Sequence, residues 1–93
     1  MMTKVTWGKP VEKQLDRIPD VIARKFRLWV ALVEESGIRE VRKCKGFHDE
    51  PLKGQRQRQR SVRLNRAYRA IYVEHETGEV EMIEVLEVNK HEY

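Results

Sequence analysis

The chain has 93 residues, of which 40% are hydrophobic and 37% charged, with a formal net charge of +4 and an isoelectric point of about 9.4. This balance excludes a disordered chain and is typical of one soluble domain with a modest core, predicted to span residues 1–93. Because Cys44 is the only cysteine, an internal disulfide and a thiolate zinc cluster are excluded. No apolar run reaches the ~18 residues of a membrane span. We therefore expect a cytoplasmic protein that contacts no membrane.

The first half of the chain predicts one strand and two helices. The β-branched and aromatic residues of Lys4–Trp7 predict a short first strand. Pro10 suits the first turn of a helix whose apolar residues recur every three or four positions, and a second proline ends it. Asp20 is predicted to be the N-cap of a second helix, which Gly37 ends. The tight turn between the helices predicts an antiparallel hairpin, and residues 38–55 are predicted to be mostly irregular.

The last third of the chain predicts β structure. Three segments are rich in valine, isoleucine and tyrosine: Arg60–Leu64, Tyr68–Val73 and Glu79–Val88. Gly78 can take a positive φ in a hairpin between the last two. The final segment carries apolar residues at both odd and even positions, which predicts a central strand covered on both faces. The order β-α-α-β-β-β indicates an α+β fold, in which the helical hairpin packs on one face of a small, mostly antiparallel sheet.

Positive charge is concentrated in one stretch of the chain. Lys53–Arg69 contains seven basic residues and no acidic one, whereas Glu74–Tyr93 contains seven glutamates and one lysine. This segregation creates a local positive field despite the small net charge. A solvated basic face is one interpretation, and a site that binds phosphate groups of a nucleic acid is another.

The length of one turn decides how two of these arginines are arranged. A two-residue turn at Asn65-Arg66 would put Arg63 and Arg69 on opposite faces of a hairpin. A three-residue turn ending at Ala67 would put them directly opposite each other on one face. Two cations there repel each other, and a bound phosphate would remove that penalty.

Side chains able to carry out chemistry are few. The three histidines are widely spaced, and Ser61 has no adjacent histidine to activate it. We therefore expect no metal site and no cofactor. The remaining candidates are Glu50, Lys53, Arg63, Arg69, His91 and Tyr93.

These residues carry a resemblance to a known family. The stretch Glu50–Tyr72 resembles the RelE/ParE superfamily of bacterial toxin–antitoxin systems, and it is most similar to the YoeB and HigB-like branches. The matching residues are Glu50–Gly54, Ser61, Arg63, Arg69, Tyr72, His91 and Tyr93. The predicted order of elements agrees with the RelE-like fold, so the resemblance covers nearly the whole chain.

The resemblance implies a metal-independent endoribonuclease that cuts mRNA, commonly on the ribosome. By position, Glu50 corresponds to the general base, and Arg63 and Arg69 to the pair that binds the scissile phosphate. His91 is a candidate general acid, and Tyr93 would help to position the substrate. A cognate antitoxin would neutralise the toxin, and operator DNA would be contacted only through the toxin–antitoxin complex.

Further basic residues are expected to bind RNA: Lys53, Arg56, Arg58, Arg60 and Lys90. Two other functions remain open at this point. The chain could be a non-enzymatic, ParE-like inhibitor of DNA gyrase. It could also be a nucleic-acid-binding module without cleavage activity, whose affinity falls steeply with salt.

Overall fold

The computed structural model describes residues 2–56 and 58–90, which form a five-stranded sheet with helices against it. The predicted α+β class and the predicted order of strands and helices are confirmed. One short helix and one short strand lie in the segment predicted to be irregular. The elements are β1 (Met2–Thr6), α1 (Lys9–Arg17), α2 (Asp20–Ser36), α3 (Ile38–Arg42), β2 (Glu50–Pro51), β3 (Gln59–Arg63), β4 (Tyr68–Thr77) and β5 (Val80–Lys90), with 3-10 turns at Lys45–Phe47 and Gly54–Arg56.

The strands lie in the order β1-β5-β4-β3-β2, and only the β1–β5 pair is parallel. The predicted central position of β5 is confirmed. The prediction that both of its faces are covered is wrong for one face. Ile83 and Val85 are buried beneath the helices, but Glu84 is exposed and Met82 is only half-buried. The sheet therefore has one face packed against the core and one open face, as is common in antiparallel sheets.

The core lies between the helices and one face of the sheet. Helix α1 packs on β5, and α2 packs on β1 and α3. The aromatic side chains of Phe26, Trp29 and Tyr72 are fully buried there, and the rings of Trp29 and Tyr72 are 5.4 Å apart. This packing anchors β4, the strand that also carries Arg69.

The side chains of Gln14 and Glu34 bond the two longer helices to the backbone of the strands. The Gln14 side chain accepts a hydrogen bond of 2.7 Å from the backbone N–H of Val88. Glu34 accepts one of 3.0 Å from the backbone N–H of Val5, on the outer edge strand. Each bond satisfies a backbone donor that would otherwise lack a partner in a ladder.

The turns follow the glycines. Gly37, with φ of 86°, ends α2, and Gly78, with φ of 62°, lies in the β4–β5 hairpin, both as predicted. The predicted N-cap is wrong by one residue, because Pro19 occupies the cap position and Asp20 begins the helix without a side-chain cap bond. Asp20 still places a negative charge at the positive end of the helix dipole. None of the helices in residues 2–56 and 58–90 is long and apolar enough to cross a membrane.

Candidate active site

The β3–β4 hairpin brings two arginines together on the open face. The register pairs Arg63 with Arg69. The turn between the strands therefore has three residues, which is the length that puts both arginines on one face. The Asn65 side chain fixes this turn, because its Oδ1 accepts hydrogen bonds from the backbone N–H groups of Ala67 (2.7 Å) and Tyr68 (2.8 Å). Such bonds are typical of asparagine-initiated turns. Two guanidinium groups therefore project from the same face of neighbouring strands.

Strand β2 adds a carboxylate to the same face. Glu50 pairs with Ser61, two residues before Arg63 on β3. The intervening Val62 is buried in the core, so Ser61 and Arg63 lie on the other, open face. There the side chains line a cavity of about 50 Å³, which suits a compact group rather than a whole nucleoside. The residues that line this cleft are His48, Glu50, Ser61, Arg63, Asn65, Arg66, Tyr68 and Arg69.

The cleft has an excess of positive charge. Within residues 2–56 and 58–90, Arg63, Arg66 and Arg69 have no acidic partner at ion-pair distance. The Nε atom of Arg69 is buried without a hydrogen-bond partner. Like charges directly across a sheet are unfavourable, and a buried donor without an acceptor costs free energy. An anion bound between the arginines would relieve both penalties.

A buried carboxylate holds the segment that carries Glu50. The Asp49 side chain is 1% exposed and accepts a hydrogen bond of 2.6 Å from Arg60 Nε. It accepts another of 2.5 Å from the hydroxyl of Tyr72. Arg42 donates to the same hydroxyl at 3.2 Å and forms an ion pair with Glu74. These five side chains, which we call the Asp49 network, bind the segment to β3, β4 and α3.

The network shifts two proton equilibria. Burial, and then the hydrogen bond to Asp49, raise the pKa of Tyr72 well above its ordinary value. Burial alone would lower the pKa of Arg60, but the hydrogen bond and the charge of Asp49 outweigh it and raise that pKa. Tyr72 therefore stays neutral and Arg60 stays charged, as the hydrogen bonds of Asp49 require.

His48 is a cleft residue that the sequence-based prediction missed. Its Nε2 lies 3.5 Å from Glu50 Oε2, and its φ of 46° is the only positive φ of a non-glycine residue in the described part of the chain. The separation of two positions between His48 and Glu50 is the one signal in the sequence that could have indicated a shared site.

The predicted RNA-binding arginines differ in their surroundings. Arg56 donates hydrogen bonds of 2.7 Å to Gln59 and to Glu87, and Arg60 belongs to the Asp49 network. Arg58 is exposed. Two of these three guanidinium groups are thus paired with carboxylates, which the stretch of sequence without acidic residues did not indicate.

Two of the remaining predicted residues, Lys53 and Lys90, do not line the cleft. Lys53 is exposed beyond β2. Lys90 is exposed at the end of β5, where it pairs with Tyr68. His91 and Tyr93, the predicted general acid and substrate-positioning residue, lie outside the described residues.

Comparison with known proteins gives a match of fold. No protein-family model matches the sequence, and no curated protein matches it significantly. The structure is similar to the YoeB/ParE toxin from Agrobacterium tumefaciens, with a TM-score of 0.73 and 18% identity over 96% of this chain and 99% of that chain. It is also similar to a chain of the archaeal RelE–RelB complex from Pyrococcus horikoshii OT3, with a TM-score of 0.71 and 25% identity over 97% and 96%.

A third similar structure is a chain of the YoeB–YefM complex from Staphylococcus aureus, with a TM-score of 0.71 and 15% identity over 99% of this chain and 100% of that chain. The three matches span nearly the full length of both chains. At these levels of identity the likeness concerns the fold, and the chemistry of this chain depends on the residues of its cleft.

Proposed function

We propose that this chain, which has the fold of the RelE and YoeB toxins, is the toxin of a toxin–antitoxin pair and an endoribonuclease that cuts mRNA. One observation carries the proposal: Arg63 and Arg69 lie directly opposite each other in a cleft that also contains Glu50. This arrangement costs free energy in the absence of an anion. It is suited to a phosphodiester, whose charge increases in the transition state of cleavage.

The cleft residues fit the cleavage of RNA by its own 2′-hydroxyl. Glu50 accepts the proton of the 2′-OH, and the 2′-oxygen attacks the adjacent phosphorus. Arg63 and Arg69 bind the phosphate and stabilise the charge that develops on its oxygens. Because RNA supplies the nucleophile, the reaction needs no metal ion. His91 and Tyr93 remain candidates for protonating the leaving group and positioning the substrate.

Exposed cations around the cleft support binding of a long polyanion. Lys53, Arg58 and Lys90 are exposed and can contact phosphates beyond the scissile one. Arg56 and Arg60 join them only by exchanging Glu87 and Asp49 for phosphate groups. We propose mRNA on the ribosome as the substrate, as the sequence resemblance implies.

The open face is also the surface where we propose that an antitoxin acts. Similar structures include chains of a RelE–RelB complex and a YoeB–YefM complex. An acidic or amphipathic segment of a cognate antitoxin laid over Arg63 and Arg69 would complement their charge and exclude RNA. Operator DNA would then be contacted through the complex of toxin and antitoxin.

The experiment that tests this function uses the purified chain with translating ribosomes, followed by mapping of RNA 5′ ends. We expect the wild type to cut, and Arg69→Gln to cut at least ~10²-fold more slowly, the usual cost of losing one donor to transition-state charge. Arg24→Gln, an exposed position on α2, is the matched control and should cut normally.

The same preparations distinguish the two other functions. Inhibition of gyrase supercoiling without new RNA ends would indicate a ParE-like inhibitor. Salt-sensitive RNA binding without cleavage would indicate a binding module. Either result refutes the ribonuclease.

A further inference from the structure

The proposed reaction requires a proton donor for the leaving oxygen. When the 2′-oxygen forms its bond to phosphorus, the bond from phosphorus to the 5′-oxygen breaks. The products are a 2′,3′-cyclic phosphate and a 5′-hydroxyl, so the departing oxygen must gain a proton. An alkoxide is a poor leaving group, and a positioned acid accelerates such a step by about 10²–10⁴-fold.

The chemistry of the cleft leaves one candidate among the described residues. The arginines that line it do not release protons, and a carboxylate at neutral pH accepts them. Serine and asparagine side chains do not ionise in this range, and a tyrosine loses its proton only near pH 10. An imidazole both holds and releases a proton near neutrality. Of the eight lining residues, His48 alone carries one.

The backbone around His48 is held on both sides by buried neighbours. Phe47 is 5% exposed and belongs to the core, and the Asp49 side chain is 1% exposed within its network. Between them, His48 takes a left-handed conformation with φ of 46°, which costs a non-glycine residue free energy and persists only where the surrounding structure holds it. This conformation presents the imidazole at the cleft, where 54% of its side-chain surface is exposed.

The partner of His48 suits the assignment. Its Nε2 is 3.5 Å from Oε2 of Glu50, so the two side chains border the same space. A phosphodiester that enters between them would have its attacking 2′-oxygen on the side of Glu50 and its departing 5′-oxygen on the side of His48. A carboxylate that takes one proton and an imidazolium that gives one form a complete acid–base pair. Three guanidinium groups around the same cavity keep it selective for an anionic substrate.

We propose that His48 is the general acid that protonates the 5′-oxygen of the leaving nucleoside, with Glu50 as the general base. This assignment rests on the proposed ribonuclease function. It places both proton transfers on one short segment, residues 48–50, while the phosphate is bound by β3 and β4.

The first test replaces His48 without disturbing its backbone. Asparagine and glycine both tolerate the left-handed conformation, so His48→Asn and His48→Gly should fold normally, as judged by thermal unfolding. Both should cut RNA about 10²–10⁴-fold more slowly than the wild type. Imidazole added to the buffer should restore part of the activity of His48→Gly, which a purely structural role would not allow.

The matched control is His75→Asn. His75 also pairs with a glutamate, with its Nε2 3.0 Å from Glu84 Oε1, and it does not line the cleft. Its activity and its response to imidazole should equal those of the wild type.

The second test uses an RNA whose scissile 5′-oxygen is replaced by sulfur. A thiolate departs without being protonated, because thiols are much stronger acids than alcohols. The His48 variants should cut this substrate within a few-fold of the wild type, whereas Glu50→Gln should stay impaired. If His48→Asn cuts ordinary RNA at the wild-type rate, His48 is not the acid. If His91→Asn cuts ordinary RNA slowly but cuts the sulfur-containing RNA at nearly the wild-type rate, His91 is the acid and His48 is not. If the wild type cuts neither substrate, the proposed ribonuclease function is wrong, and the assignment of His48 as its acid is wrong as well.

Discussion

Replacing Asp49 by alanine should lower the free energy of unfolding much more than replacing its acidic neighbour, Glu50. Asp49 is buried, and its two oxygens accept hydrogen bonds from Arg60 and Tyr72. Alanine removes both acceptors and leaves both donors in place. The charge of Arg60 then has no buried counter-ion.

The expected loss follows from these contacts. Both hydrogen bonds have the carboxylate as their acceptor, and a hydrogen bond to a charged group contributes about 1.5–3 kcal/mol, whereas one between neutral partners contributes about 1 kcal/mol. Breaking a fully buried ion pair costs about 3–5 kcal/mol. The Arg60 side chain is 27% exposed and recovers part of its hydration, so the cost lies below that range. We therefore expect Asp49→Ala to lower the free energy of unfolding by about 2–4 kcal/mol, and Asp49→Asn, which keeps an acceptor for Tyr72, by about half as much.

Urea unfolding followed by tryptophan fluorescence measures this loss, because Trp29 packs against Tyr72. Glu50→Ala is the control, since its carboxylate is on the next residue but 59% exposed; it should change stability by less than about 0.5 kcal/mol. A loss below 1 kcal/mol for Asp49→Ala, or an equal loss for the two variants, would refute the account of the network.

Three further predictions concern Tyr72, Gly37 and the arginine pair. The pKa of Tyr72 is raised, so its contribution to the free energy of unfolding should be fully present below pH ~10, where an unfolded tyrosine keeps its proton. That contribution should be lost as the pH rises above this value. Tyr72→Phe should make that fall shallower, by up to about 1.4 kcal/mol per pH unit, in urea titrations from pH 8.5 to 11.5; an unchanged slope would contradict the shift. Gly37→Ala should lose about 1–3 kcal/mol because of its φ of 86°, whereas Gly46→Ala, with no atom near the added Cβ, should be neutral in the same assay. Phosphate at ten times its Kd should stabilise the wild type by about 1.4 kcal/mol relative to chloride of equal ionic strength; an equal thermal shift in Arg69→Gln would place the anion elsewhere.

The sequence predicted the parts of the fold that depend on local patterns. The apolar periodicity of the helices and the glycine in the β4–β5 hairpin depend on residues close in the chain, and these elements are confirmed. Helix α3 and strand β2 were missed because five and two residues are too few to show a period. Their conformation depends on packing and pairing with distant strands.

The site was predictable to a similar extent. The face shared by Arg63 and Arg69 depended on the length of one turn, and the sequence left two lengths open; the side chain of Asn65 decides between them. The pairing of Arg60 with Asp49 was not visible, because it requires the register of β2 on β3. Likewise, the sequence has no acidic residue between Lys53 and Arg69, but Arg56 pairs with Glu87, which lies 31 positions away on β5.

The parallel pairing of β1 with β5 affects how the protein is made. The hydrogen bond from Thr3 to Glu81 joins residues 78 positions apart, and β5 lies between β1 and β4 in the sheet. While a ribosome synthesises the chain, the first strand has no partner strand, and the helices have no complete sheet to pack against, until residues 80–90 have been translated. Such non-local pairing slows folding. The two opposed arginines are therefore held in a complete sheet only after β5 has been translated, and a nascent chain lacking it should remain inactive.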